Sequence, residues 1–183
     1  MNMRTPLAAL AALALVSTPM VAQAALPKGA VAPDFTAQGA LGGKPFSIHL
    51  KQALKRGPVV LYFYPKAFTQ GCTLEAHAFA DATPDFAKAG ATVIGMSNDD
   101  VATLTRFSTE ECRNKFAVAS ATPTIIKAYD VDLQQAGKST GLTTRTSYVI
   151  APSGKVTMVH SDMDYRDHVK LTLAAVQALK GRR

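Results

Sequence analysis

Tryptophan is absent from this sequence and other aromatic residues are few, so the core is expected to rest on aliphatic side chains and on eight phenylalanines. Aromatic residues make up 7% of the 183 positions, hydrophobic residues 48% and charged residues 18%. These proportions are typical of one compact globular domain. A domain of roughly 150 residues buries about 68–70% of the surface of its unfolded chain, so its core needs no disulfide staples.

Cysteine is nearly absent as well, and the spacing of the two that occur argues against several kinds of site. Cys72 and Cys112 are forty positions apart. They do not form the Cys-x-x-Cys motif that a thioredoxin-like disulfide reductase or isomerase uses. No cluster of cysteine and histidine residues supplies the ligands of a metal site. The sequence therefore predicts no bound metal and no cofactor.

Long apolar stretches are also missing beyond residue 24, although a transmembrane helix needs about 20 apolar residues. Before that point Arg4 precedes ten apolar residues at positions 7–16, and Ala22-Gln23-Ala24 fits a small-x-small cleavage site. This order is typical of a secretory signal peptide. We therefore expect residues 1–24 to be removed. Residues 25–183 are then expected to form a single domain, periplasmic or secreted, with no membrane anchor.

Clustered positive charge is the fourth absence. The chain has 20 lysines and arginines against 13 acidic residues, which gives a net charge of +7, or +6 without Arg4, the one charged residue in the expected signal peptide. The basic residues are scattered and are not interleaved with aromatic residues, as a nucleic-acid site would require. The sequence therefore predicts no nucleic-acid partner.

What is present is a hydrophobic periodicity that predicts an α/β fold. Residues 59–64 and 91–96 are apolar, β-favouring runs, which indicate strands buried on both faces. Residues 74–87 between them have helical spacing, so the centre of the sheet is expected to be parallel, and a hairpin at 146–160 adds antiparallel strands. The other predicted elements are a short edge strand after residue 35, strands at 45–50 and 117–119, helices from 99 to about 112, at 124–129 and at 165–180, and a loop at 132–143.

The stretch LYFYPKAFTQGCTLEAHAFAD, residues 61–81, places Cys72 where a buried strand gives way to a helix. Open α/β sheets bind ligands at the carboxyl ends of their strands, and a helix N-terminus favours a thiolate. Thr69 supplies a hydroxyl, Gly71 permits close backbone approach, and Pro65 stiffens the exit from the strand. These features describe an activated nucleophile. They leave open a buried, inert cysteine or half of a structural disulfide, because cysteines of secreted proteins normally pair.

The segment YPKAFTQGCT, residues 64–73, resembles the active-site loop of the peroxiredoxins, in particular of the bacterioferritin-comigratory or Q-type group. Residues 29–35 resemble the opening of that family, 58–65 its core strand and 145–150 the strand that carries its distal arginine. The resemblance covers nearly all of residues 25–183. It implies a thioredoxin-like fold in which helices flank a central mixed sheet.

The resemblance also implies a thiol peroxidase and assigns roles to its residues. Cys72 would be the peroxidatic cysteine, whose thiolate attacks the O–O bond and becomes a sulfenic acid. Thr69 would hydrogen-bond the peroxide, and Pro65 would shield the sulfur from over-oxidation. Arg145 would hold the thiolate and stabilise charge on the oxygens, because a guanidinium keeps its proton and favours a nearby thiolate. Glu75 matches a Glu or Gln of the family and is interpreted as a partner for backbone donors at the helix start.

The implied partners are a peroxide substrate, either hydrogen peroxide or an organic hydroperoxide, and a thioredoxin-like or other thiol reductant. The implied oligomeric state is a monomer. Two other functions stay open from the sequence: a secreted thioredoxin-like disulfide oxidoreductase, and a non-enzymatic binding module with one structural disulfide. Loss of thiol within seconds of adding sub-stoichiometric hydrogen peroxide would identify a peroxidase, and an insulin-reduction assay would reveal a reductase.

Departures from the family pattern concern the recycling of Cys72. Gln70 replaces the usual proline, and His77 occupies the position where many relatives carry a resolving cysteine. Cys112 lies one helical turn beyond Ser108, where other Q-type relatives place theirs. We therefore expect Cys112 to resolve Cys72 through an intramolecular disulfide. The alternative is an inert Cys112 and an external thiol that recycles Cys72 directly.

Overall fold

A computed structural model describes residues 25–181, and the signal peptide predicted at residues 1–24 lies outside them. No α-helix within the described range is both long enough and apolar enough to cross a membrane. The strands are β1 (Thr36–Leu41), β2 (Lys44–His49), β3 (Val59–Phe63), β4 (Thr92–Ser97), β5 (Ala117–Ser120), β6 (Asp132–Gln135), β7 (Lys138–Thr143), β8 (Thr146–Ile150) and β9 (Val156–Ser161). The helices are α1 (Leu50–Leu54), α2 (Gln70–Lys88), α3 (Val101–Glu110), α4 (Pro123–Ala128) and α5 (His168–Lys180), and a short 3-10 helix, Tyr165–Asp167, comes immediately before α5.

Seven strands form one mixed sheet in the order β2-β1-β5-β4-β3-β8-β9. β4 pairs in parallel with β3 and β5, whereas β8 runs antiparallel to β3 and to β9. All five residues of β3 are buried, as expected for a central strand covered on both faces. The predicted α/β fold, with a parallel centre, a closing hairpin and helices that flank a central mixed sheet, is therefore confirmed.

The sheet divides the apolar interior into two cores, because successive side chains of a strand point to opposite faces. Leu61 and Phe63 of β3 belong to one core, together with side chains from α1 and α4. Val60 and Tyr62 belong to the other, together with side chains from α2, α3 and α5. The second core contains both cysteines, so it is the one that positions the site.

Tyrosine contributes more to these cores than was expected from the composition. Tyr62 lies flat against the neighbouring strand, where a Cβ atom added to Gly95 would come within 2.9 Å of its hydroxyl oxygen. Its ring also stacks on Phe79 of α2, with the ring centroids 4.2 Å apart. The expectation of a core built from aliphatic residues and phenylalanine is therefore wrong in this respect. The tyrosines that are at most 1% exposed are Tyr62, Tyr64, Tyr129 and Tyr148.

The prediction of a loop at residues 132–143 is wrong, because this segment forms the hairpin of β6 and β7. The tight turn runs through Ala136 and Gly137, both of which have positive φ angles. Most side chains of the two strands are exposed. A hairpin without a buried face leaves no apolar alternation in the sequence, and this is why the pattern did not reveal it.

Two element boundaries and the position of one strand also differ from the prediction, and the two boundaries affect the site. α2 begins at Gln70 and not at residue 74, so Cys72 lies in its first turn. α3 ends at Glu110, so Cys112 lies beyond the helix and not within it. β1 lies between β2 and β5 and is not an edge strand.

Candidate active site

Cys72 lies at the carboxyl edge of the parallel strands, in the first turn of α2, and is 2% exposed. The chain reaches it through Tyr64, whose amide donates to the Met96 carbonyl oxygen and whose own carbonyl accepts from the Thr143 hydroxyl at 2.7 Å. These bonds fix the end of β3 between two neighbouring segments. Pro65 follows directly and is half-buried, so the exit from the strand is constrained as the sequence predicts.

Arg145 is the residue immediately before β8, and its side chain contacts Cys72. The Nη2 atom of its guanidinium lies 3.6 Å from the Cys72 Sγ atom, and its Nε atom donates to the Met163 carbonyl oxygen at 3.0 Å. Its side chain is 5% exposed. A Cβ atom at Gly71 would lie 3.2 Å from Nη2, so a larger residue there would crowd the guanidinium. The structure thus brings together Cys72 and Arg145, which are 73 positions apart.

Thr69 is the N-cap residue of α2 and is exposed. Its hydroxyl donates to the Lys66 carbonyl oxygen at 2.9 Å and makes no capping bond to the helix. The proton of the hydroxyl is therefore engaged by this carbonyl oxygen, and the oxygen lone pairs stay available to accept a hydrogen bond.

Asp99 holds the active-site loop, a role that the sequence analysis did not identify. Its Oδ2 atom accepts from the Ala67 amide at 2.8 Å and from the Ser97 hydroxyl at 2.7 Å. The next residue, Asp100, is the N-cap of α3 and accepts from the Thr103 amide at 2.7 Å. An acidic residue next to an N-cap carries no sequence signal for a contact with a distant loop.

Glu75 does not bond the backbone at the helix start, so that interpretation is wrong. It is fully buried, and its Oε2 atom accepts from the Nη1 atom of Arg145. Burial raises the pKa of the Glu75 carboxyl to about 8, although Arg145 opposes the shift. One guanidinium therefore faces two acidic groups, Glu75 and Cys72. In a buried site it can balance only one full negative charge.

His168 is a second buried residue that the sequence analysis missed. Its Nδ1 atom shares a hydrogen bond of 2.8 Å with the Ser147 hydroxyl and lies 3.7 Å from Glu75 Oε1. Burial lowers the pKa of His168 to about 4, so the ring is neutral at pH 7. The spacing of His168, Thr172 and Val176 on one face of α5 is the signal that could have identified the buried side of this helix.

Cys112 is fully buried in the same core as Cys72, and both thiols are free. Burial is the main cause that raises the pKa of Cys112 far above its ordinary value, and Glu111 adds to it. Burial is the main cause that raises the pKa of Tyr62 and of Tyr64, and the nearby Cys112 thiol raises both further. The structure therefore places the two cysteines in one core that they share with these tyrosines, without a disulfide between them.

No group of three or more His, Cys, Asp or Glu side chains that could hold a metal ion occurs among residues 25–181. The site as described consists of a thiol, a guanidinium, a hydroxyl and a buried carboxyl. Such a set can activate a thiolate and stabilise charge on a substrate oxygen, which is chemistry that needs no metal.

Comparison with known proteins gives a consistent result. Residues 28–159 match the model of the AhpC/TSA family. Peroxiredoxin Q of Oryza sativa subsp. japonica, a chloroplast protein, is 33% identical over an alignment that covers 92% of this chain and 81% of the relative. Peroxiredoxin Bcp of Xanthomonas campestris is 31% identical, over 66% of this chain and 76% of the relative.

Solved structures give the same match. The crystal structure of peroxidoxin BcpB from Mycobacterium tuberculosis superposes with a TM-score of 0.73 at 33% identity, over 83% of this chain and 97% of that one. The bacterioferritin comigratory protein of Xanthomonas campestris, described as having alkyl peroxide reduction activity, superposes with a TM-score of 0.69 at 29% identity. That match covers 78% of this chain and 91% of the other.

Proposed function

Because the chain belongs to the AhpC/TSA family and is a thiol peroxidase of the peroxiredoxin Q kind, we propose that Cys72 is its peroxidatic cysteine. Hydrogen peroxide and alkyl hydroperoxides are the proposed substrates. The observation that carries the assignment is the separation of 3.6 Å between Arg145 Nη2 and Cys72 Sγ in a buried helix start. Both the guanidinium and the helix N-terminus favour a thiolate at this position.

In the first step the Cys72 thiolate attacks the terminal oxygen of the hydroperoxide. An S–O bond forms as the O–O bond breaks, Cys72 becomes a sulfenic acid, and the alkoxide takes a proton from water to leave as an alcohol. Negative charge moves from the sulfur onto the departing oxygen during this step. Arg145 faces that charge with a fixed guanidinium, because the Glu75 carboxyl and the Met163 carbonyl oxygen hold its other nitrogens.

Thr69 and Pro65 shape the approach of the substrate. The Thr69 oxygen accepts a hydrogen bond from the hydroperoxide O–H group, and this orients the terminal oxygen toward the sulfur. Pro65 lies at the end of β3 and limits the access of a second peroxide to the oxidised sulfur. Orientation of this kind lowers the barrier by removing freedom before the reaction begins.

In the second step Cys112 resolves the sulfenic acid. The Cys112 thiol attacks the Cys72 sulfur, a disulfide forms, and the sulfenic oxygen leaves as water. A disulfide requires Cα atoms within about 7 Å of each other, and we expect part of the structure to open to bring the two buried cysteines together. Opening also exposes Cys112, whose thiol is a poor nucleophile while burial raises its pKa.

The cellular setting follows from the expected signal peptide. We propose that the mature protein acts as a monomer in the periplasm or outside the cell. A thioredoxin-like thiol protein of the same compartment would reduce its disulfide. Fractionation of cells that express the full chain tests the location, and light scattering of the reduced and oxidised forms tests the monomer.

The assignment of Cys72 is tested by locating the first oxidation product. Reduced protein is mixed with a sub-stoichiometric amount of an alkyl hydroperoxide in the presence of a sulfenic-acid trap, and the labelled peptide is identified by mass spectrometry. The proposal predicts a label on Cys72 and release of one alcohol per label. A label on Cys112, with Cys72 unmodified, would contradict it.

A further inference from the structure

The segment that carries Cys112 is attached to α2 on both sides of the cysteine. The His77 ring contacts Glu111 with 2.7 Å between Nε2 and Oε2. Arg113 Nη1 donates to Asp81 Oδ1, also at 2.7 Å. His77 and Asp81 are four positions apart and so lie on one face of α2. These two contacts are called the α2 clamp below.

The backbone after Cys112 adopts a conformation that ordinary residues rarely take. Arg113 and Asn114 have φ angles of 50° and 60°, in the left-handed region. Backbone bonds from Cys112 to Phe107 and from Asn114 to Ser108, each 3.0 Å long, close the turn at the end of α3. The α2 clamp contacts this turn from outside, through the residues immediately before and after the cysteine.

The beginning of α2 has weak backbone support, although Arg145 contacts Cys72 and Glu75 there and Phe68 packs on Phe107. Its N-cap residue, Thr69, makes no capping hydrogen bond, and Gly71 in the first turn is a poor helix former. Phe68, just before the helix, also has a left-handed backbone, with a φ angle of 63°. By contrast, Phe79 further along α2 is anchored by stacking on Tyr62. The backbone of the first turn of α2 is therefore less well supported than the rest of the helix, and opening it requires Arg145 to release Cys72 and Glu75.

We propose that His77 and Asp81 are positioning residues for the resolving step: they hold the Cys112 turn beside α2 while the first turns of that helix open and deliver Cys72. This inference rests on the proposed role of Cys112. The disulfide forms as described above, with the Cys112 thiol displacing the sulfenic oxygen of Cys72 as water. The clamp takes no part in that chemistry and acts on the distance between the two sulfurs.

The chain between Cys72 and His77 is long enough to carry Cys72 toward Cys112 while the clamp stays in place. Cys72 is five positions from His77, and five extended residues span about 17 Å. With the clamp in place, the loop to be closed runs from Cys72 to His77 and across to Glu111, about seven residues in place of forty. The entropy of loop closure then favours the disulfide by a factor of about 10 at most, because the rest of the fold already limits the longer path.

The test compares two double variants of the full chain. Asp81→Ala with Glu111→Ala removes the clamp, because alanine has no side-chain group that can accept a hydrogen bond from Arg113 or contact His77. The control, Asp85→Ala with Glu110→Ala, removes the contacts of Lys88 and Arg106, which lie elsewhere on α2 and on α3. Sulfenic-acid formation, disulfide formation and the yield of sulfinic acid are each followed after a single addition of hydrogen peroxide, and melting temperatures establish that the two variants are equally folded.

We expect sulfenic acid to form at the wild-type rate in both variants. Disulfide formation should slow by about 3- to 10-fold in the clamp variant only, with a matching rise in sulfinic acid. Exchanging the charges, as Asp81→Arg with Arg113→Asp, should restore the rate lost in Asp81→Ala. A clamp variant that forms the disulfide as fast as the control, or faster, would overturn the inference.

Failure of the proposed resolving role of Cys112 gives a different result from failure of the positioning role of His77 and Asp81. If the wild-type protein forms no Cys72–Cys112 disulfide at all, the resolving role of Cys112 is wrong and this inference is wrong with it. If the wild-type protein forms the disulfide and the two double variants form it equally fast, Cys112 still resolves Cys72. In that case only the positioning role of His77 and Asp81 is rejected.

Discussion

Arg145 Nη2 lies 3.6 Å from Cys72 Sγ, although 73 positions separate the two residues in the chain. The contact depends on the antiparallel pairing of β8 with β3, which brings the residue before β8 to the edge where β3 ends. The same guanidinium bonds the buried Glu75. The central sheet thus assembles the cation, the thiol and the carboxyl at one point.

Replacing Arg145 should slow the reaction with peroxide. We expect Arg145→Met to lower the second-order rate constant by about 10- to 1000-fold, because the thiolate and the departing oxygen each lose a fixed donor. The measurement is the rate of thiol loss under stopped flow. The matched control is Arg166→Met, which removes an exposed guanidinium that pairs with Asp164. Equal rates in the two variants would remove Arg145 from the site.

Glu75 should respond differently to two substitutions. Glu75→Gln retains a group that can accept a hydrogen bond from Arg145, so its rate should stay within about tenfold of wild type, whereas Glu75→Leu leaves Arg145 without its partner and should lose more. Steady-state rates at saturating reductant compare the two. Similar losses in both variants would show that the carboxyl acts through its charge and not through the hydrogen bond.

The same carboxyl should make stability depend on pH. The pKa of Glu75 is about 8 in the folded chain, above its ordinary value of 4.5, so the folded state binds more protons than the unfolded state between these values. The stability that the Glu75 carboxyl contributes is fully present below pH 4.5. It is lost as the pH rises to about 8, by at most about 1.4 kcal/mol per pH unit. The free energy of unfolding of wild type, relative to Glu75→Gln, should therefore fall across this range. A constant difference would contradict the assignment.

Much of the fold was predictable because its central elements carry strong patterns. The uninterrupted apolar run of β3 predicted a buried strand, and the Pro-Ser-Gly turn predicted the hairpin of β8 and β9. The hairpin of β6 and β7 was not predictable from periodicity, because its side chains face solvent on both sides.

The candidate site was predictable only in part, for a physical reason. Cys72 and Thr69 stand on one short segment, so the local pattern indicated them. The resemblance to a known family, and not the spacing, indicated Arg145. The roles of Glu75 and His168 in the structure depend on contacts between α2, β8 and α5, and a polar residue that is buried by such contacts looks like a surface residue in the sequence.

Thr69 gives a test of substrate orientation. Thr69→Val should slow the peroxide step by about 10- to 1000-fold, because the variant has no oxygen to accept the hydroperoxide O–H group. Thr69→Ser keeps that oxygen and serves as the control, with a rate near wild type. Stopped-flow measurements with hydrogen peroxide and with an alkyl hydroperoxide compare both variants. A Val variant as fast as the Ser variant would show that the hydroxyl does not contact the substrate.

Cys112 gives a test of recycling. In Cys112→Ser the first turnover should survive, because Cys72 and Arg145 are unchanged. Cys72 should then proceed to sulfinic acid under excess peroxide, since no internal thiol captures the sulfenic acid. Mass spectrometry after one and after many equivalents of peroxide follows both events. If Cys112→Ser cycles at the wild-type rate with the same reductant, an external thiol recycles Cys72 and Cys112 is inert.

The central claim is that all peroxide chemistry begins at Cys72, and the rate of alkyl hydroperoxide consumption by Cys72→Ser tests it most directly. Serine is nearly isosteric with cysteine and its hydroxyl is not ionised near neutral pH, so the fold should be retained and circular dichroism should match wild type. The account predicts no turnover above background, even though Cys112 and Arg145 remain. A folded Cys72→Ser protein that keeps more than a few per cent of the wild-type rate would contradict it.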